Sequence, residues 1–369
     1  MNLKVIIVDD TIVYRKIVSD ILAEIPGVEI SGTASNGKIA LARIKAIKPD
    51  LLTLDIEMPE MNGLAVLQAL KAEKLDVGVI VLSNLTVRGG EMTMKALELG
   101  AFDFITKPDG PSLEENRREI KRALEPLIKA YAHRREISSI LRGTHISGKS
   151  SPPQGETPVR QAVPSAVTRM NNIAVGIKAE VIGIGISTGG PNALAAMLPL
   201  LPGDINVPVL VVQHMPPVFT KSLAASLDAK SALTVKEGED GEAIKNNVVY
   251  IAPGGRQMKV TLGANAVTKI IRITDDPPEN NCKPSVDYLF RSLAHHYVGC
   301  ATGIIMTGMG NDGTLGLRLM KRSGAAVIAQ DETTSVVFGM PREAIEAGVV
   351  DIVAPLDKIA GEIMKTVKY

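Results

Sequence analysis

Short apolar runs recur along this chain, each stopped by a polar or charged residue and followed by a helical pattern. In the first 124 residues the clearest are LKVIIVD (3–9), DLLTLDI (50–56), GVIVLS (78–83) and DFITK (103–107), with a weaker run at VEISGTA (28–34). Helical spacing fills the gaps, for example over 11–24 and 36–47. Runs built from Val, Ile and Leu without alternation suit strands covered on both faces. Strands alternating with helices in this way imply right-handed crossovers and a doubly wound parallel sheet. The pattern restarts at 179 with VIGIGI, PVLVVQH, VVYIA, TGIIMTG and AAVIAQ. The expected fold class is therefore α/β, with two doubly wound parallel-sheet domains, flavodoxin-like and then Rossmann-like, in a chain of 369 residues.

The segment between them reads differently. Ser112, with Glu115 three residues on, forms a capping box for a helix that keeps its spacing toward residue 141. Pro126 is expected to kink or break that helix. Residues 143–170 are Gly-, Ser- and Thr-rich and carry Pro152, Pro153, Pro158 and Pro164, the composition of a linker. From 126 to 178 there are eight Lys/Arg and two acids, a net of +6, which suits a solvated linker better than a patch for an acidic partner. The division expected is 1–124, 125–178 and 179–369.

The whole-chain net charge is only +1, so no global field points to nucleic acid or a membrane surface. Aromatics are 3% and Trp is absent, which argues against base-stacking platforms. Cys282 and Cys300 have no metal-site spacing and suit a reducing cytoplasm as packing or incidental residues. MNLKVIIVDD meets two aspartates too early for a signal peptide, and no apolar run approaches the roughly 18 residues that cross a bilayer. A soluble protein is expected.

Asp9 and Asp10 end the first run, Asp55 the DLLTLD run, Ser83 the next and Lys107 the last. In an open parallel sheet these carboxyl ends share one crevice. Carboxylates gathered there repel unless a hard cation such as Mg²⁺ bridges them. With Lys107 opposite, such a site neutralises and orients an incoming phosphoryl group. Taken singly, any of these acids is better explained as a helix cap; five such residues together are not.

This set resembles the receiver domain of two-component response regulators over about residues 1–124, through Asp9–Asp10, LDIEMPEMNG, Ser83 and Lys107–Pro108. The resemblance implies that Asp55 is the phosphoacceptor. It also implies that Asp10, Asp55 and the Glu57 carbonyl contact Mg²⁺ beside Asp9, with Ser83 and Phe104 as switch hydroxyl and aromatic.

In the second half the glycines admit several uses. VIGIGISTGGP has Gly183 and Gly185 but Thr188 where a dinucleotide fingerprint needs its third glycine, and it lacks the Gly-Lys-Ser/Thr ending of an NTP loop. TGIIMTGMGNDG fits the fingerprint better, with Gly308, Gly310, Gly313 and a downstream Asp331, but it lies late in the domain. A nucleophile reading uses more of the chain. Ser187 follows a strand at a sharp glycine turn, His214 follows PVLVVQ, and Asp312 sits in the turn after TGIIMTG. Serine needs a base to take its proton, and the base works best with its tautomer fixed by an acid. Of the five histidines, only His214 stands at a strand end.

Residues 179–369 resemble the catalytic domain of chemotaxis protein-glutamate methylesterases, through GISTGGP, VVQHMPP, YIAPGGRQM, KPSVDYLF and MTGMGNDG. The resemblance implies Ser187 as nucleophile, His214 as base, Asp312 as orienting acid, the Met309 amide at the oxyanion and Thr188 nearby. Gln257 stands where the family often has histidine, a departure expected to touch substrate-edge contacts. The implied substrates are glutamyl γ-methyl esters, and glutamine amides, on methyl-accepting chemotaxis receptors, with no cofactor for hydrolysis. A chemotaxis histidine kinase is the implied phosphodonor, Mg²⁺ serves the receiver only, and the place of action is the cytoplasm at receptor arrays. The rival outputs are a dinucleotide-dependent oxidoreductase and a DNA-binding domain; no helix-turn-helix pattern supports the second.

Overall fold

Both runs of strands fold as their apolar character requires, into parallel sheets clothed by helices. The computed structural model describes residues 2–143, 168–169 and 178–367, so almost all of the linker expected over 143–170 lies outside the described residues. Strands β1 (Leu3–Val8), β2 (Val28–Ala34), β3 (Leu51–Asp55), β4 (Gly78–Asn84) and β5 (Asp103–Lys107) form a parallel sheet of order β2-β1-β3-β4-β5. Val5, Ile7, Ile80 and Leu82 pack on one face against α1 (Ile12–Ala23) and α5 (Leu113–Gly143). Ile6, Val8, Leu52 and Leu54 pack on the other against α2 (Gly37–Ile47), α3 (Gly63–Ala72) and α4 (Val87–Glu98). Burial on both faces is why these strands do not alternate. Chain order reverses between β1 and β3, which opens a crevice at their carboxyl ends.

Ser112 caps α5 through the Glu115 amide at 3.2 Å. Pro126 does not break this helix: it runs unbroken for 31 residues through the proline. A proline removes one amide, and here the buried Leu124, Leu127 and Ile128 hold the helix to the core on both sides of that loss.

The second sheet has eight strands in the order β6-β15-β14-β13-β7-β8-β10-β9. Its members are β6 (Thr168–Arg169), β7 (Val181–Ile186), β8 (Val209–Gln213), β9 (Thr234–Glu237), β10 (Val248–Ile251), β13 (Ala301–Ile305), β14 (Ala326–Gln330) and β15 (Ile352–Ala354). All pairs are parallel except β6, which runs antiparallel along β15. A separate antiparallel hairpin, β11 (Gln257–Leu262) with β12 (Lys269–Thr274), departs from the purely parallel expectation. Helices α6 (Gly190–Met197), α7 (Phe219–Asp228), α8 (Val286–His296), α9 (Thr314–Arg322), α10 (Met340–Glu346) and α11 (Leu356–Val367) cover the sheet. β7 lies between β8 and β13, so chain order reverses there and the ends of β7, β8 and β13 share the second crevice.

Candidate active site and phosphoacceptor pocket

In the first crevice the end of β1 brings Asp9, that of β3 Asp55 and that of β5 Lys107. Asp9 and Asp55 are almost fully buried, while Asp10 is exposed. Lys107 Nζ lies 2.7 Å from Asp9 Oδ2 and 2.7 Å from Asp55 Oδ2, over the Tyr14 ring. Oxygens of Asp9, Asp10 and Asp55 lie within 4.8 Å of one another. One ammonium faces three carboxylates, and these hard oxygen donors suit Mg²⁺. Burial pushes the Asp55 carboxyl up to about 6, against the pull of Lys107. The Glu57 amide donates to Asp55 Oδ1 at 3.2 Å, which brings the Glu57 backbone to the pocket rim.

Ser83 turns toward α4: its hydroxyl donates to the Gly89 carbonyl at 3.2 Å and accepts from Thr93 Oγ1 at 2.8 Å. Phe104 stacks on Phe219 of the second domain, with centroids 5.0 Å apart and planes inclined by 17°. The expected switch pair therefore lies with Ser83 against α4 and Phe104 in the domain seam.

The second crevice gathers the other set. Ser187 follows β7, with its amide on the Thr307 carbonyl at 2.9 Å and its carbonyl accepting from Gly190 and Gln213 Nε2. Gly189 is left-handed (φ 75°), and a Cβ there would stand 2.5 Å from Val336. A Cβ on Gly308 would meet Ser187 Cβ at 2.7 Å, so glycine is what lets the two turns touch.

His214 follows β8 and places Nε2 2.8 Å from Asp312 Oδ2. Asp312 also accepts from Val286 N (2.7 Å), Asp287 N (3.1 Å), Ser285 Oγ (2.9 Å) and Asn280 Nδ2 (3.1 Å). The N-terminus of α8 thus cradles this carboxylate. Burial acts to raise its pKa, but the bond and charge of His214 and the amide bonds outweigh it and hold the carboxyl at about 2. For His214, burial disfavours the imidazolium, but Asp312, followed by the neighbouring Cys282, raises it to about 9.

Ser187, Thr188, His214 and Met309 line one cavity of about 230 Å³, and Asp103 and Phe104 of the first domain line its other side. Met309 is 49% exposed, and Thr188 gives its carbonyl to Thr307 Oγ1 at 2.9 Å. The first domain holds this wall in place through polar contacts. Gly189 N donates to Asp103 Oδ2 at 2.8 Å, Asn192 Nδ2 to the Ala101 carbonyl at 3.0 Å, and Lys230 Nζ to Glu98 at 2.6 Å. Asp103 is buried in the seam, and that burial pushes its carboxyl up to about 6.

One rival reading and one expectation meet the structure here. Asp331, the candidate ribose acid, is occupied by the local turn, accepting from Thr334 N at 3.0 Å and Thr333 Oγ1 at 2.6 Å. Gln257, expected at the substrate edge, is fully buried; its amide donates to the Pro277 carbonyl and its Oε1 accepts from Ser285 N at 2.8 Å. It braces the loop behind Asp312. Sequence reasoning missed the donors Asn280, Ser285, Val286 and Asp287, although a serine before a helical pattern with an early acid is an N-cap signal.

Family models match both halves: "Response regulator receiver domain" over residues 5–116 and "CheB methylesterase" over 182–363. A protein of Desulfotalea psychrophila named protein-glutamate methylesterase/protein-glutamine glutaminase is 54% identical over 367 residues, covering 100% of this chain and 99% of its own. This chain belongs to that family. A Bacillus subtilis member of the same name is 41% identical, with 99% of each chain covered. The crystal structure of the Thermotoga maritima CheB methylesterase catalytic domain is 43% identical over 51% of this chain and 99% of its own, with a TM-score of 0.49. The methylesterase thus has a receiver domain ahead of a methylesterase domain. Among the described residues, no helix is long and apolar enough to cross a membrane.

Proposed function

We propose that residues 179–369 hydrolyse glutamyl γ-methyl esters, and deamidate glutamines, on the cytoplasmic part of methyl-accepting chemotaxis receptors. In this division residues 1–124 form the receiver and 125–178 the connection. The observation that carries the reading is the His214 Nε2 to Asp312 contact of 2.8 Å on the cavity that holds Ser187.

Asp312 engages Nε2, which leaves Nδ1 as the basic nitrogen. Ser187 Oγ attacks the ester carbonyl as its proton passes to Nδ1. The Met309 amide and the Ser187–Gly190 turn face the developing oxyanion, with Thr188 beside it. The imidazolium then returns its proton to the leaving methoxide, or to the leaving amine in deamidation, and methanol or ammonia departs. Water, deprotonated at Nδ1, attacks the acyl-serine and releases glutamate.

Control enters at Asp55. Its carboxylate takes a phosphoryl group from the chemotaxis histidine kinase, with Lys107 pairing to the phosphoryl oxygens. Asp9, Asp10, Asp55 and the Glu57 carbonyl would hold Mg²⁺, which neutralises charge during the transfer. Movement of Ser83 and Phe104 would then withdraw Phe104 from Phe219 and loosen the seam over Ser187. A bias of a few kcal/mol suffices for that shift. We place this action in the cytoplasm, at receptor arrays.

Methanol release from methylated receptor tests the whole reading. Ser187→Ala should abolish release, and Asp55→Asn should keep basal release while losing the response to a phosphodonor. Full activity in Ser187→Ala would sink the serine mechanism. A preserved response in Asp55→Asn would sink the control.

A further inference from the structure

Cys282 takes no part in the hydrolysis proposed above, yet its Sγ lies 3.7 Å from Nδ1 of His214. Its position is set by a tight turn. Glu279 and Cys282 exchange backbone hydrogen bonds of 3.2 and 2.8 Å, and Asn280 and Asn281 between them are left-handed, with φ of 52° and 60°. Sγ also lies 3.4 Å from the Asn280 carbonyl.

Two protein ligands on tetrahedral zinc, with a Zn–S bond of about 2.3 Å and a Zn–N bond of about 2.0–2.1 Å, stand about 3.6 Å apart. The observed separation matches. Asp312 already holds the other ring nitrogen at 2.8 Å, the carboxylate–histidine pairing that fixes a metal-binding imidazole. The sulfur, imidazole and carboxylate donors all lie within 4.8 Å of one another. The cavity of about 230 Å³ that His214 lines has room for water as further ligands.

We propose that Cys282 Sγ and His214 Nδ1 chelate a soft divalent cation, of which Zn²⁺ is the physiological type, with Asp312 as its outer carboxylate. Binding displaces both the Cys282 thiol proton and the Nδ1 proton of the His214 imidazolium to solvent and forms thiolate–metal and imidazole–metal bonds, with no change of oxidation state. Mg²⁺, a hard cation that takes oxygen ligands, does not compete for this site and remains with the receiver acids. The metal occupies the lone pair that would accept the Ser187 proton, so metal binding and hydrolysis exclude each other. That inhibitory consequence rests on His214 being the base; the metal site itself does not.

The test titrates the full-length protein with Co²⁺ and follows the thiolate-to-cobalt charge-transfer band in the near ultraviolet. The band should appear in the wild type and in Cys300→Ser, vanish in Cys282→Ser, and be displaced by Zn²⁺. The receiver carboxylates cannot produce it, having no sulfur. Zn²⁺ affinity, measured by competition with a chromophoric zinc chelator, should fall about ten-fold or more in Cys282→Ala, since even outer-shell losses cost about 10–100-fold. In the unmodified protein, Zn²⁺ should shield Cys282 from iodoacetamide, read by peptide mass. A wild type without the band, a band retained in Cys282→Ser, or unshielded Cys282 overturns the site. A normal band with methanol release indifferent to Zn²⁺ would instead overturn the role of His214 as base.

Discussion

Asp55 and Asp312 are both buried aspartates at the carboxyl edge of a parallel sheet, and their environments drive them in opposite directions. Asp55 is pushed up to about 6 and Asp312 is held at about 2. Burial works against the charge in both. The difference is donors: Asp312 accepts from His214, Ser285, Asn280 and two α8 amides, whereas among the described residues Asp55 shares one ammonium with Asp9 and receives only the Glu57 amide besides. A fully satisfied carboxylate orients a neighbour and stays unchanged. A poorly compensated one is disposed to take up a cation or an electrophile. One topology thus serves a fixed electrostatic part and a chemically reactive one.

The severest challenge to this contrast is Asp312→Asn. It should lower kcat by about 10⁴-fold, because the amide cannot hold His214 in the working tautomer. Methanol release measures the loss, and circular dichroism should report an intact fold. A loss below ten-fold would mean that Asp312 is not the orienting acid.

The pH response sharpens the contrast further. His214 must be neutral to accept a proton, and its pKa is raised to about 9, so kcat/KM should climb through the alkaline range with an apparent pKa above the ordinary 6.5. Asp55 must be ionised to bind Mg²⁺ and to be phosphorylated. Both should weaken as pH falls through about 6, with proton release on Mg²⁺ binding detectable by calorimetry in buffers of different ionisation enthalpy. Mg²⁺ affinity that is flat between pH 5 and 7 would contradict the raised Asp55.

The smallest effect is expected at the seam joining the two regions. Phe104→Ala removes the stack on Phe219, worth about 0.5–1.5 kcal/mol. Basal methanol release should therefore rise between two- and about ten-fold, and the further gain from phosphodonor should shrink. Unchanged basal release would mean that the stack does not restrain the crevice.

Much of this was legible because strand ends in parallel sheets are marked by where apolar runs stop. Asp9, Asp55, Lys107, Ser187 and His214 were all found that way. The Asp312 cradle was not, because Ser285, Val286 and Asp287 reach it from 25–27 positions away along the chain, and backbone donors leave no residue-type signature. β15, of three residues, is too short to register as a run, and β9, with the sequence TVKE, carries a single apolar residue. The β11–β12 hairpin has only one well-buried face, so its pattern is weak. Cys282, set aside as incidental by its spacing, proves to neighbour His214, the proposed base, which only the fold of the 279–282 turn brings about. Of the kink or break expected at Pro126, the break does not occur, since tertiary packing outweighs a single missing amide.

The two residues of β6 pair with β15, at the opposite edge of the second sheet from β9. They anchor the chain ahead of the catalytic domain, while the receiver contacts the crevice at the other end of the same connection. In the proposed control, covering Ser187 is therefore a unimolecular event, governed by effective concentration rather than by how much protein is present. On that reading the ratio of covered to uncovered enzyme would stay the same at nanomolar and micromolar protein, and the proposed receptor segment would compete with a partner that never diffuses away.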